Sequence, residues 1–148
     1  MRIKFLARYT GEMSDTLKLE IVTPTGTAYS KDVDMVVLSG VEGRMGILPH
    51  HVRLMTQLLP GELIARKDGH DEALAVGEGL VEITGKGVSI VTNMAVAAQD
   101  IDEAKAEEAR QRAAARLREK LSSEEVASVN AALVHSLAQL RVKRRHRN

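Results

Sequence analysis

The first hundred residues alternate between apolar and polar positions. Leu17-Lys18-Leu19-Glu20-Ile21 places an apolar side chain at every second position and stops at Thr23-Pro24-Thr25-Gly26, the pattern of a half-buried strand closed by a turn. A second strand is predicted over 33–38, ending at Ser39-Gly40. Four more are predicted over 62–66, 73–76, 80–84 and 88–92, separated by Gly69, by Gly77 and Gly79, and by Gly85 and Gly87. Short strands at such spacing argue for an antiparallel sandwich or barrel, not for a parallel sheet with crossover helices. From residue 100 the period changes. Ala106, Ala109, Ala113, Leu117 and Leu121 recur every three or four residues and make one helix face, mostly of alanine. Asp100 is the expected cap, with Glu103 three residues on. Ser122 and Glu125 repeat that signal ahead of Val126, Val129, Leu133, Leu137 and Leu140. The short connection predicts an antiparallel helical hairpin. Small residues on the first helix would let the larger ones of the second approach.

Composition sharpens the boundary. All 11 glycines and all three prolines lie at or before Gly87, so the remaining 61 residues contain no turn-former. The expected organisation is therefore a β-sandwich over 13–99, a hairpin over 100–142 and a basic tail over 143–148. The length of 148 residues suits one domain with an appendage, and 44% apolar content supports a real core. No apolar run approaches the ~18–20 residues that span a bilayer. The basic start, Met1 to Arg8, has too short an apolar stretch for a signal peptide. Charge is uneven: residues 1–99 carry 10 basic and 12 acidic side chains, residues 100–148 carry 11 and 8.

The search for chemistry is mostly negative. Zero cysteine removes disulfides, zinc ribbons, iron–sulfur ligation and thiol catalysis. One Phe, two Tyr and no Trp leave little to stack on single-stranded nucleic acid, so no nucleic-acid partner is expected. His50-His51 is the one histidine cluster; adjacent residues point apart on a strand, and further ligands would have to come from Glu42, Glu62 or distant groups. Gly40-Val41-Glu42-Gly43-Arg44-Met45-Gly46 lacks the Gly-Lys-Ser/Thr ending of a phosphate loop and reads as a tight connection. No serine sits in a nucleophile-elbow context. The tail Arg141-Val142-Lys143-Arg144-Arg145-His146-Arg147 suits polyanions or plain solvent equally well.

At the glycine loop the sequence resembles a known family. Glu42-Gly43-Arg44-Met45-Gly46-Ile47-Leu48-Pro49-His50-His51 is similar to the E-G-x-x-G-I-L-P-x-H signature of the epsilon subunit of bacterial rotary F-type ATP synthases. Other segments follow in the family order: Leu19 to Pro24, Leu54-Met55-Thr56-Gln57-Leu58-Leu59-Pro60-Gly61-Glu62-Leu63, Gly79-Leu80-Val81-Glu82-Ile83, Asp100 to Ala106, and Leu137 to Val142. The resemblance covers about residues 16–142. It implies a sandwich of ten strands followed by the hairpin, and a non-catalytic rotor subunit of the central stalk; the residues themselves lead us to expect no cofactor or metal. Its partners would be the gamma subunit, the ring of c-subunits and, when the hairpin extends, the beta subunit of the catalytic head. The chain would reach the cytoplasmic face of the bacterial plasma membrane only through that complex. A free-standing sandwich adaptor with a protein-binding hairpin is the alternative; an enzyme is the poorest reading.

Residue by residue, the resemblance implies that Glu42, Gly43 and Arg44 face the c-ring and that His51 lies where gamma approaches. Several relatives carry an acid at the position of Arg44, so either the ring here is complementary or Arg44 points elsewhere. Arg116, Arg118 and Lys120, with Arg110 and Arg112, would meet an acidic segment of beta and brake hydrolysis. Tight ATP binding, known in some relatives, is not expected. The motif reads Ile101-Asp102-Glu103-Ala104-Lys105-Ala106, with lysine for the family's arginine. Val96, His135 and Gln139 stand at positions of a glutamate and two arginines; only Asp102 and Arg112 match. Residues 1–12 have no counterpart in the usual family start, which Met13-Ser14-Asp15-Thr16-Leu17 resembles, and are expected to be a disordered extension.

Overall fold

The computed structural model describes residues 16–146. The extension expected over 1–12, the start at Met13 and Arg147 of the tail lie outside them. Ten strands come first: β1 Leu17–Thr23, β2 Gly26–Val33, β3 Met35–Gly40, β4 Gly43–Ile47, β5 Leu54–Leu58, β6 Gly61–Lys67, β7 His70–Val76, β8 Gly79–Ile83, β9 Gly87–Thr92 and β10 Ala95–Ala97. A 3-10 turn, Ala98–Asp100, leads to α1 Glu103–Arg116 and α2 Ser123–Arg145.

The hydrogen-bonded order β10-β7-β6-β3-β5-β8-β9-β1-β2, with β4 on β3, folds into two layers. The layers meet at one pair, Gly40 opposite Leu58. All pairings are antiparallel except β1 with β9. Leu19, Ile21, Leu38, Ile47, Leu58, Leu63, Leu74, Ile83 and Ile90 fill the space between the layers and are closed to solvent. A Cβ on Gly79 would run into the backbone carbonyl of Val91, so glycine is what lets β8 start against β9.

Four strands escaped the hydropathy pattern. In β2 only Tyr29 and Val33 are buried, because it is an edge strand with little core to face. β4 is read from sequence as a glycine loop, yet Gly43 to Ile47 pairs with Val36 to Gly40 in a tight hairpin. Gly43, at φ +123°, makes that turn. β5 and the three-residue β10 complete the ten. The expected strand over 33–38 also straddles two elements, Val33 closing β2 while β3 starts at Met35.

The hairpin packs on one layer only. Val142 and Ile101 lie with Ile64, Ala73 and Ala75 on the outer face of β6 and β7. These strands are therefore buried on both sides, and β6 shows three consecutive buried residues, Leu63 to Ala65. The cap of α1 is Asp102, whose side chain accepts from the Lys105 amide at 3.1 Å; Asp100 instead ends the 3-10 turn. Ser122 and Glu125 form the expected capping box on α2.

The helix faces differ from the pattern. Leu117 caps the C-terminus of α1 and Leu121 lies in the connection. Along α2, Val126 and Leu137 are exposed, while Ser136, Ala138, Leu140 and Val142 are buried. Val129, Ala132 and Ser128 line a groove opposite Ala109 and Ala113. The contact between the helices is thus small-against-small. Leu137 accordingly faces solvent, while Leu140, at the foot of the helix, is buried. α2 also extends through Lys143, Arg144 and Arg145, so the first half of the expected tail is its last turn.

Candidate functional site

The turn Val41-Glu42 and the flanking Gly43 and Arg44 stand at one end of the β3–β4 ladder, where Gly40 pairs with Gly43. His51 lies past the other end, beyond the Val36–Ile47 pair, its Nδ1 2.7 Å from its neighbour's carbonyl at Val52. The two groups expected to touch partners are therefore not brought together. Nor are His50 and His51 on a strand; they occupy an irregular connection in which His50 adopts φ +66°.

Glu42 is exposed, but Arg44 folds back along the sheet. Its Nη1 donates to Ser39 Oγ at 2.9 Å and to the main-chain carbonyl of Glu62 at 2.6 Å, and its Nη2 pairs with Glu62 Oε1 at 3.6 Å. With these contacts made, the Arg44 side chain is still 41% exposed. Glu62 carries more. Its side chain is only 8% exposed, and it also receives Arg145 Nη1 at 3.2 Å on Oε1 and His146 Nε2 at 2.6 Å on Oε2. Arg144 reaches Glu103 at 3.0 Å and Glu107 at 3.4 Å, and Lys143 donates to the Ala98 carbonyl. The basic segment is spent on the molecule itself.

At the far tip of the hairpin, Arg116 pairs with Glu119 and Glu125, both at 3.3 Å. Arg118 and Lys120 are exposed in the connection, off the helix they were expected to decorate. Arg110 is held by Glu107, whose hydrogen bond keeps its guanidinium above its ordinary value. On α2, Val126 near this tip and Val134 and Leu137 farther along the helix are apolar and open to solvent. Of the residues compared with a nucleotide site, Asp102 caps α1, and Gln139 Nε2 sits 3.1 Å from Met94 Sδ.

Sequence reasoning missed the outer face of the second layer. Met55 on β5, Leu80 on β8 and Val91 on β9 are 64%, 58% and 61% exposed. Leu80 pairs with Val91, which pairs with Val22 on β1, so these three form one row with no helix over it; Met55, opposite Glu82, lies on the next row of the same face. Val41 and Leu59 extend it toward the β3–β4 turn. The signal was present as apolar residues on the wrong parity of each strand, but only the pairing register joins them. Across the two layers, Tyr29 OH on β2 donates to Glu72 on β7 at 3.0 Å; burial, reinforced by that carboxylate, pushes the phenol well above its ordinary value. Among the described residues no cluster of three or more His, Asp or Glu could hold a metal, and no helix is long and apolar enough to cross a membrane.

Comparison with known proteins agrees along the chain. The ATP synthase delta/epsilon chain β-sandwich domain matches residues 16–98, and the long α-helix domain of the same chain matches residues 99–144. The ATP synthase epsilon chain of Herpetosiphon aurantiacus is 40% identical over 132 residues, 89% of this chain and 97% of that one. The epsilon chain of Dehalococcoides mccartyi is 42% identical over 123 residues, 80% and 88% of the two chains. The fold is also similar to that of a chain in the cryo-EM structure of the Euglena gracilis mitochondrial ATP synthase OSCP/F1/c-ring assembly, with a TM-score of 0.71, 22% identity and coverage of 88% and 82%. With two domain matches in order and relatives of about 40% identity over nearly their whole length, the chain belongs to the ATP synthase delta/epsilon chain family.

Proposed function

We propose that the chain is the epsilon subunit of the central stalk of a bacterial proton-translocating ATP synthase. It carries out no catalysis. It grips the gamma subunit and the c-ring, turns with them, and so helps couple ring rotation to ATP synthesis in the catalytic head. It works at the cytoplasmic face of the plasma membrane, peripherally, through the complex alone. Membership of the family over both domains carries this reading.

The surfaces fit that role. The row of Leu80, Val91 and Val22, with Met55 on the neighbouring row of the same face, is the kind of apolar patch that marks a protein interface, and we assign it, with His51, to gamma. The exposed turn at Glu42 and Gly43 is assigned to the c-ring. The hairpin tip, with Arg116, Arg118 and Lys120 and the nearby exposed Val126, is assigned to the beta subunit when the hairpin extends. There it brakes hydrolysis.

The test is assembly. The full-length chain, tagged and purified from solubilised membranes of its own host, is expected to bring gamma, beta and c-subunits with it. A chain that returns alone overturns the reading and favours a free-standing adaptor. Truncation after Gln99 keeps all ten strands and is expected to leave attachment intact. Neutralising Arg116, Arg118 and Lys120 together is expected to raise ATP hydrolysis in the assembled complex.

A further inference from the structure

Glu62 occupies an unusual position for a carboxylate. It lies on the outer face of β6, opposite Ala75 of β7, with its side chain 8% exposed. Two arginines and a histidine reach it from two parts of the molecule: Arg44 from the sandwich, and Arg145 with His146 from the end of α2. Arg44 and Arg145 approach the same oxygen, Oε1, at 3.6 and 3.2 Å.

The partners are not equivalent in what they lose by separating. A nearly buried carboxylate left alone pays its full desolvation penalty. The arginines are 41% and 69% exposed and can exchange the carboxylate for water. Two like charges on one oxygen also repel each other. Each arginine therefore counts for less while the other is present, and for more once the other has gone.

We propose that Glu62 is a shared lock, for which Arg44 of the β3–β4 hairpin and the last turn of α2 compete. Drawing Arg44 away leaves the carboxylate dependent on Arg145 and His146 and tightens the docked helices. Lifting the helices leaves it dependent on Arg44 and pins that side chain to the sheet. The coupling is reciprocal, as linkage requires. A carboxylate on whatever chain meets the Glu42 turn would draw Arg44 outward and so favour the docked hairpin; only this last step rests on the assembly role proposed above.

The competition is measurable on the full-length chain by itself, without other subunits, so its outcome is independent of the assembly experiment. The readout is hydrogen exchange at the amides of residues 138–143 in α2, with Leu19 and Ile90 reporting the sandwich. Glu62→Gln is expected to speed exchange of 138–143 about tenfold, and Arg145→Gln with His146→Gln to do nearly the same. Arg44→Gln is expected to slow it, by about threefold. In the Glu62→Gln background Arg44→Gln is expected to have no effect. Arg44→Gln speeding exchange or leaving it unchanged would overturn the proposal, as would an equal effect of Arg44→Gln without Glu62. Acceleration in Glu62→Gln that spreads equally to Leu19 and Ile90 would also overturn it, because Glu62 would then serve the sandwich and not the hairpin.

Discussion

In the sandwich the side chains that exclude water are leucine and isoleucine, among them Leu19, Ile21, Leu63 and Ile83. Between the two helices they are Ala106, Ala113 and Ser136, and the foot of α2 adds Leu140 and Val142. Each fully buried leucine or isoleucine contributes about 1.5–3 kcal/mol, against ~0.8 kcal/mol for a methyl group. The rest of the hold on the hairpin is charge: Lys143, Arg144, Arg145 and His146 all end on sandwich or α1 acceptors. Exposed ion pairs add little each. One region is therefore a fixed body and the other a part held by a few kcal/mol. Moving a two-state population from 1:99 to 99:1 takes about 5.5 kcal/mol, so a binding partner can supply the difference for the hairpin but not for the sandwich.

The largest test of this contrast is Leu63→Ala, which empties a closed position between the layers. It is expected to cost about 2–5 kcal/mol and to lower the melting of sandwich and hairpin together in calorimetry. Val142→Ala comes next. It removes two buried carbons at the hairpin foot, about 1.5 kcal/mol, and the loss is expected to fall on docking: α2 amides exchange faster while the sandwich melts as before. Equal effects of both substitutions on the sandwich would erase the distinction.

Thr56→Val sharpens it from the other side. Thr56 Oγ1 is buried among the core side chains with no hydrogen-bond partner. Replacing it by a methyl of the same shape is expected to raise stability by about 1 kcal/mol, visible as a higher denaturant midpoint with unchanged slope.

The smallest effect concerns pH. The Arg66 guanidinium, 2.6 Å from Asp71 Oδ1, holds that carboxyl below its ordinary value, chiefly through the hydrogen bond. A folded-state value below the unfolded one stabilises above the usual carboxylate range and is lost as pH falls through the depressed value. The stability difference between the native chain and Arg66→Gln is therefore expected at neutral pH and to vanish in acid. Solvent screening keeps it small.

Much of this molecule is fixed locally. The alternation at Leu17-Lys18-Leu19-Glu20-Ile21, the glycine and proline punctuation up to Gly87 and the Ser122–Glu125 box each act within a few residues, so they survive the loss of all other information. The family signature around Glu42 to His51 is equally a property of the string. Tertiary structure alone decided the rest. β4 is a strand because β3 is there to pair with it, and a glycine-rich segment carries no hydrophobic period to announce that. The buried side of α2 is set by two neighbours, α1 and the β6–β7 face, so a single amphipathic stripe could not identify Ser136 and Val142 and placed Leu137 inside. Arg44, Arg145 and His146 meet at Glu62 across separations of up to 84 residues. Long charged side chains have many reachable partners, and only the fold selects which carboxylate is near and dry enough to hold them.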